Sequence, residues 1–214
     1  MLIAGYFSLI YIVDNTIDGQ GASPGEIRSA LERMRPDTEI LTEPFHRVSN
    51  ERIRELSPSH IILSGQSHPW EMYTPESLAG VYDVIRNPLR PVLGVCGGHQ
   101  QMALAFGAPV GLMERIGPGE GYEGAKRERG FHPVKVDPDG LFKDLPSSLT
   151  FWHSHCDEVK ELPAGFRGTA SNSTCKIQAM QHESEPLYGV QFHPELFDEG
   201  HPDGRKVLEN FLSL

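Results

Sequence analysis

Short apolar runs recur through the first half of this chain, and segments with helix-start signals separate them. The runs are Ser8–Val13, Glu39–Leu41, Ile61–Ser64 and Pro91–Val95. Strands that alternate with helices are typical of a parallel sheet that helices cover. We therefore predict an α/β fold of three layers (αβα), in which flanking helices cover a mostly parallel central sheet.

Three of the predicted helices have a recognisable start or end. Ser23–Glu26 offers a capping box, with proline at the first helical position. Thr74–Glu76 is a second start, and Gly107 is well placed to cap the helix that follows Cys96. The predicted helices run from 23 to about 34, from 74 to before 87, from 100 to 106, and from about 205 to 212.

The second half of the chain carries mainly β-strand signals. Its predicted strands are His132–Val136, Leu149–His153, Ile177–His182 and Leu187–Phe192. With 214 residues and no convincing linker, the chain is long enough for one well-buried domain and short for two. We therefore predict that residues 1–214 form a single domain.

Composition limits the partners that the chain can bind directly. The formal net charge is -10, and phosphate backbones and anionic membranes repel a negatively charged protein. The N-terminal stretch to Val13 is apolar, but no basic segment precedes it and Asp14 ends it too early for a membrane span. We expect a cytoplasmic protein with no nucleic-acid partner and no membrane span.

Gly94–Gln100, with the sequence GVCGGHQ, is the strongest local signal in the chain. Cys96 falls between a predicted strand and a predicted helix, where a tight turn holds a nucleophile exposed. The start of the following helix offers free amides and a positive dipole end, which stabilise a thiolate. Cys96 is therefore the candidate nucleophile, although free cysteines are usually ordinary buried residues. A base elsewhere in the chain would favour the nucleophile over the ordinary buried residue.

Gly189–Glu195, with the sequence GVQFHPE, supplies that base. Residues two apart on an extended segment face the same side, so His193 and Glu195 can point into one site. The imidazole would take the thiol proton and later protonate the leaving group, while the carboxylate orients the imidazole. An unselected histidine is more often structural. However, Gly65, Cys96 and His193 each follow an apolar run, and α/β sheets place their sites at the carboxyl ends of strands.

These two segments resemble the paired signatures of the class I, or triad-type, glutamine amidotransferases in their order and wide separation. The similarity includes Ser64–Gly65 and Trp152–Val159, and it covers most of the chain from about residue 60 to 212. The stretches from Glu128 to Phe166 and from Cys175 to Met180 are most similar to the glutaminase part of GMP synthetases. Stand-alone amidotransferase-like proteins share this pattern.

The resemblance implies a flavodoxin-like fold and a defined activity. Cys96 would attack the side-chain amide of L-glutamine, with His193 as base and Glu195 as its orienting carboxylate. A γ-glutamyl thioester would form, and water would release glutamate from it. Ammonia would be the useful product.

The resemblance also assigns the remaining site residues. It implies an oxyanion hole formed by the backbone amides of Gly97 and of the Gly65–Gln66 loop. Gln66 departs from the family, in which a second glycine is common, because its Cβ would penalise a backbone of positive φ. The resemblance places the substrate against Gln100 and the Ser154–His155 segment. Gln100 can equally be an ordinary polar residue on the first turn of a helix, and Ser154–His155 can equally be the end of an ordinary strand.

No metal or cofactor is expected from the sequence. A strand sends His153 and His155 to one side and Cys156 to the other, which argues against a zinc site. Cys175 has no base near it in the sequence, so we predict that it has a structural role. Lys126–Arg129 reads as a solvated loop of mixed charge that could still contact a synthetase partner.

Three functions fit these residues, and the first is favoured. An ammonia-supplying protein would need a partner synthetase subunit, because the chain has no P-loop and no GxGxxG after a strand with which to bind an acceptor. A stand-alone γ-glutamyl hydrolase would use the same residues and be active without a partner. A regulatory module would bind glutamine without turnover, with Gln66 as the reason for its weak catalysis.

Overall fold

The computed structural model describes residues 8–19 and 21–214. The strands are β1 (Leu9–Asp14), β2 (Glu39–Pro44), β3 (His60–Leu63), β4 (Val92–Val95), β5 (Val110–Leu112), β6 (Glu128–Val136), β7 (Ser148–His155), β8 (Asp157–Val159), β9 (Phe166–Ser171), β10 (Ala179–His182) and β11 (Leu187–Val190). The helices are α1 (Ser23–Met34), α2 (Asn50–Leu56), α3 (Pro75–Arg86), α4 (Gly97–Ala105) and α5 (Asp203–Phe211).

Part of the apolar N-terminal stretch, Met1–Phe7, lies outside the described residues. Within 8–19 and 21–214, no helix has the length and apolar character that crossing a membrane requires.

Nine strands form one mixed sheet in the order β2-β1-β3-β4-β11-β10-β9-β6-β7. Pairing is parallel from β2 to β11. It is antiparallel from β11 to β7. Strands β5 and β8 form a separate antiparallel pair. The α/β class is confirmed, and the parallel half holds the four strands predicted at the start of the chain.

Successive residues of β1 pack into two different cores, one on each face of the sheet. Ile10 and Ile12 join the core that includes apolar side chains of α1 and α5. Tyr11 and Val13 join the core that includes side chains of α2, α3 and α4. Because both faces are covered, the central parallel strands are apolar throughout instead of alternating. The layers are therefore helix, sheet and helix.

Helix α1 covers the predicted residues, but the predicted capping box is wrong. Ala22 is the N-cap residue, and it makes no side-chain cap hydrogen bond. Ser23 already lies inside the helix, and its hydroxyl accepts a hydrogen bond from the backbone N–H of Gly65. Thr74 does cap α3, because its side chain accepts from the N–H of Ser77. The Ser23 contact therefore ties α1 to the loop after β3.

Candidate active site

Strands β3, β4 and β11 are neighbours in the sheet and run parallel, so their carboxyl ends meet at one edge. Gly65 follows β3 by two residues, Cys96 follows β4 directly, and His193 follows β11 by three. The structure thus brings the three predicted segments together at the edge where α/β sheets place their sites.

Cys96 occupies a sharp turn between β4 and α4. Its backbone has φ 49° and ψ -100°, a sparsely populated positive-φ conformation that costs a residue with a Cβ about 1–3 kcal/mol. The turn needs small neighbours, because a Cβ on Gly98 would collide with the backbone of Leu63. The nucleophile elbow predicted from the sequence is therefore present, and it holds the thiol at the N-terminus of α4.

His193 and Glu195 form a buried pair beside this turn. The Nδ1 of His193 lies 2.8 Å from the Oε1 of Glu195. The backbone N–H of His193 donates to the carbonyl of Trp152 at 2.8 Å, which ties the segment after β11 to β7. His193 is 8% exposed and Glu195 is 1% exposed, so water competes little for their contact. This pairing holds the imidazole in one orientation.

The pKa of His193 lies well above the ordinary histidine value. Burial alone would lower this pKa, but the charges of Glu195 and Cys96 and their hydrogen bonds to the ring outweigh it. The site therefore favours the imidazolium form of His193 beside the nucleophile. This imidazolium can later donate its proton to a leaving amine.

A chain of side-chain amides leads to the sulfur of Cys96. Gln191 donates from Nε2 to the Cys96 Sγ at 3.6 Å. The Oε1 of Gln191 accepts from Gln100 Nε2 at 3.1 Å, and this bond fixes which end of the Gln191 amide faces the sulfur. Gln100 in turn accepts from Gln66 Nε2 at 3.0 Å and from Trp70 Nε1 at 2.9 Å.

Cys96 lies between two cavities, which we call the small and the large cavity. The small cavity has a volume of about 150 Å³, and its lining includes Gln66, Cys96, Gln100, Ser154 and His155. The large cavity has a volume of about 630 Å³, and its lining includes Ser23, Gly65, Gln66, Cys96, His193 and Glu195. Of the nine predicted site residues, only Gly97 lines neither cavity, and it lies against Gln66.

The loop after β3 approaches the elbow closely. A Cβ on Gly97 would collide with the backbone nitrogen of Gln66 and with its side chain. The described non-glycine residues of positive φ are Ser57, Cys96 and Asp144. Gln66 is not among them, so its Cβ causes no left-handed strain in this conformation.

Glu128 is buried, so the prediction of a solvated loop at Lys126–Arg129 is wrong at this residue. Its carboxylate accepts from Asn172 at 2.6 Å and from Gln178 at 2.7 Å, and it lies 3.0 Å from His155 Nε2. Burial alone would raise the pKa of Glu128, but the interactions with His155, His153 and Asn172 outweigh it and lower this pKa to about 2. The charged carboxylate holds His155 in the wall of the small cavity.

Glu128, His153 and His155 have ligand atoms within 4.8 Å of one another, so this group could hold a metal ion. His153 and His155 do share one side of β7, as strand alternation predicts. The third ligand atom comes from Glu128, which the sequence analysis did not group with these two histidines. The amide hydrogen bonds to both carboxylate oxygens account for the buried charge of Glu128 without an ion.

Sequence reasoning missed two contributors to the site. Gln191 lies inside the GVQFHPE segment, two residues before His193. The alternation that places His193 and Glu195 on one side of an extended segment places Gln191 there too, so this spacing could have revealed it. Asp157 lines the small cavity, and its carboxylate accepts from the hydroxyl of Tyr122 at 2.6 Å. Burial raises the pKa of Asp157. No spacing rule links residues 122 and 157.

Comparisons with known proteins show which family this chain resembles. The family model described as glutamine amidotransferase class-I matches residues 26–214. The glutamine-hydrolysing GMP synthase subunit of Pyrococcus abyssi is 40% identical over 165 residues, which are 77% of this chain and 79% of that protein. The protein of the same name from Methanocaldococcus jannaschii is 35% identical over 202 residues, 92% of this chain and 95% of the other.

Solved structures show the same fold. A Thermoplasma acidophilum protein provisionally named as the same GMP synthase subunit superposes with a TM-score of 0.79 and 29% identity, over 97% of this chain and 94% of that one. A glutamine amidotransferase from Thermotoga maritima superposes with a TM-score of 0.68 over 97% and 82% of the two chains. At 16% identity the second likeness concerns the fold alone.

Proposed function

This chain belongs to the class I glutamine amidotransferases, and from that premise we propose how its residues divide the hydrolysis of glutamine. The chain is a glutamine-hydrolysing enzyme that supplies ammonia to a partner synthetase. One observation supports these catalytic roles above all: the strained Cys96 elbow lies beside the buried His193–Glu195 pair.

In this mechanism Cys96 attacks the side-chain carbonyl carbon of glutamine while the substrate occupies the small cavity. Gln100 and the Ser154–His155 segment line that cavity, beside the nucleophile. The tetrahedral intermediate carries negative charge on its oxygen, which backbone N–H groups at Gly97 and Gln66 would receive. The imidazolium of His193 then protonates the leaving nitrogen, and ammonia departs from a γ-glutamyl thioester.

The second half of the cycle uses the same groups in reverse roles. After ammonia has left, His193 is neutral and can accept a proton from the attacking water. Glu195 stabilises the imidazolium that forms again, and the Cys96 sulfur leaves as glutamate is released. No step requires a metal ion or another cofactor.

We further propose that the partner is the synthetase subunit that uses this ammonia to form GMP. The relatives named as glutamine-hydrolysing subunits of GMP synthase support this choice, because the alignments span most of both chains. The partner would bind the acceptor, since this sequence has no nucleotide-binding signature. We propose the cytoplasm as the location and residues 1–214 as one domain.

Release of ammonia and glutamate from L-glutamine tests the catalytic roles. The purified chain should produce both in equal amounts, and Cys96→Ala should abolish release while the fold is retained. Cys175→Ala is the matched control, because Cys175 is a fully buried thiol in neither cavity. Turnover that survives Cys96→Ala would exclude Cys96 as the nucleophile.

The partner is tested separately with glutamine that carries 15N in its side-chain amide. A mixture of this chain and the synthetase subunit should transfer the label to GMP, and Cys96→Ala should transfer label only when labelled free ammonia is added. Glutaminase activity without transfer would favour a stand-alone γ-glutamyl hydrolase.

A further inference from the structure

Ser23 makes a contact that its place at the start of α1 does not require. Its hydroxyl accepts a hydrogen bond from the N–H of Gly65 at 3.0 Å instead of capping its own helix. The two residues are 42 positions apart in sequence. A Cβ on Gly65 would lie 3.2 Å from the Ser23 Oγ and 3.3 Å from its Cβ, so the loop and the helix are in close contact.

The loop before Gly65 is held by its own hydrogen bonds. The N–H of Ser64 donates to the carbonyl of Val13 at 3.0 Å, and the carbonyl of Ser64 accepts from Asn15 Nδ2 at 2.8 Å. The hydroxyl of Ser64 donates to the carbonyl of Gly65 at 3.0 Å. The first two bonds hold the peptide groups on either side of Ser64, and the third contacts the carbonyl of the Gly65–Gln66 peptide.

The Ser23 contact decides which amide of the loop can face the substrate. Gly65 N–H is directed at Ser23 and is not free to receive an oxyanion. Within the part of the chain that the structure describes, Gln66 N–H makes no hydrogen bond. Its nitrogen lies against Gly97, whose own N–H is among the unpaired amides at the start of α4.

We propose that Ser23 is a positioning residue for glutamine hydrolysis, because it turns the loop so that Gln66 N–H, and not Gly65 N–H, completes the oxyanion hole with Gly97. This inference rests on the proposed function and adds a residue to it. Ser23 touches no reacting atom, and it acts only through the orientation of the Gly65–Gln66 peptide.

The energetic reason is that an oxyanion hole works when its donors are fixed before the charge appears. In Ser23→Ala the Gly65 N–H loses its acceptor. Among the described residues, the adjacent Gly65–Gln66 peptide is then held only by the hydrogen bond that its carbonyl accepts from Ser64, so its orientation is less fixed. Loss of a whole oxyanion donor costs about 10²–10³ in kcat, so a donor that is only loosened should cost about 10-fold. KM should stay within about twofold, because Ser23 does not line the small cavity.

Two variants and two reactions test this role. Ser23→Ala should lower the kcat for glutamine about 10-fold, and Ser23→Thr should restore most of it. Threonine keeps the hydroxyl, and its added methyl has room in the large cavity that Ser23 lines. Alkylation of Cys96 by iodoacetamide forms no oxyanion, so its rate should be the same in wild type and in both variants.

Hydrogen exchange provides a readout that does not depend on turnover. The Gly65 amide should exchange faster in Ser23→Ala than in wild type or in Ser23→Thr. An unchanged kcat, an unchanged Gly65 exchange rate, or an equal loss of hydrolysis and alkylation in Ser23→Ala would each overturn the proposal. Failure of the proposed function would show instead in the wild-type chain, as glutamine hydrolysis that does not depend on Cys96.

Discussion

The side-chain amide of Gln191 donates a hydrogen bond to the sulfur of Cys96 from 3.6 Å, across 95 residues of sequence. Both residues are buried, and Gln100 fixes the orientation of the donor through a second hydrogen bond. A donor that faces sulfur is useful mainly when the sulfur carries negative charge, because hydrogen bonds to charged groups are about twice as strong as neutral ones. The amide therefore supports the charged form of the nucleophile.

Gln191→Leu should lower the rate at which iodoacetamide alkylates Cys96 at neutral pH by about 10–100-fold, because a hydrogen bond to a charged group contributes about 1.5–3 kcal/mol. The kcat for glutamine should fall to a similar extent. Gln100→Leu is the comparison, and it should raise KM more than it slows alkylation. Equal alkylation rates in Gln191→Leu and wild type would remove Gln191 from the site.

Glu195→Gln should move the alkaline limb of the kcat/KM profile to lower pH. Burial lowers the pKa of His193, and the charge of Glu195 is the first effect that opposes it. Without that charge the imidazolium loses its proton at lower pH, so the active form disappears earlier as pH rises. Activity at pH 7.5 should also fall at least about 10²-fold, because the imidazole is no longer oriented as before.

The pH profile of kcat/KM from pH 5.5 to 10 measures this change, since it reports the ionisation of the free enzyme. Glu32→Gln, an exposed change on α1, serves as the control for altered net charge. An alkaline limb at the wild-type pH in Glu195→Gln would mean that another group sets the ionisation of His193.

Gln66→Gly should raise the basal glutaminase rate of the isolated chain if formation of the oxyanion hole draws residue 66 toward positive φ. Gln66 has no positive φ in this structure. A residue with a Cβ would need about 1–2 kcal/mol to reach that region, and glycine would not. The expected gain is therefore about 5-fold or more.

Gln66→Ala separates the backbone from the side chain, because alanine keeps the Cβ but loses the hydrogen bond to Gln100. A higher glutaminase rate in the glycine variant alone would mean that the backbone of residue 66 limits the basal rate. Equal gains in both variants would assign it to the side chain, and a glycine variant no faster than wild type would contradict both accounts.

The sequence predicted the parallel half of the fold well for a physical reason. Its central strands β3 and β4 are buried on both faces, so each appears in the sequence as a short apolar run. The elbow segment needs glycines, which are visible in the sequence. The helix α2 and the strands β5, β8 and β9 were not predicted. Strands β5 and β8 have only three residues each, which is too short for a pattern to develop.

In the candidate site, too, local sequence patterns revealed some residues and not others. Cys96, His193 and Glu195 could be proposed from the sequence because their roles depend on local spacing and on the end of a strand. Gln191 has the same two-residue spacing from His193, but its partner Cys96 lies 95 residues away, and the partner of Ser23 lies 42 residues away, so neither contact is visible in the sequence. The capping box at Ser23 was wrong for the same reason, since a tertiary contact claimed the hydroxyl that a local rule assigned to the helix.

Stability should fall as pH drops from about 6.5, because two buried histidines resist protonation in the folded state. Burial lowers the pKa of His99 to about 3 and that of His153 to about 3, the latter despite the nearby charge of Glu128. Unfolded histidines protonate near pH 6.5, so below that pH the unfolded chain binds more protons than the folded one. Each histidine then costs up to about 1.4 kcal/mol per pH unit until its folded pKa is reached.

His153→Phe should remove part of this slope, since it deletes one proton site but keeps a ring beside Phe192. Urea unfolding at pH 7.5, 6.5 and 5.5 measures the difference. These pH values lie above the range in which Glu128 changes stability, because its contribution is present above its unfolded pKa of about 4.3 and is lost toward its folded pKa of about 2. If the variant and wild type lost stability in parallel, His153 would not be held neutral in the folded state.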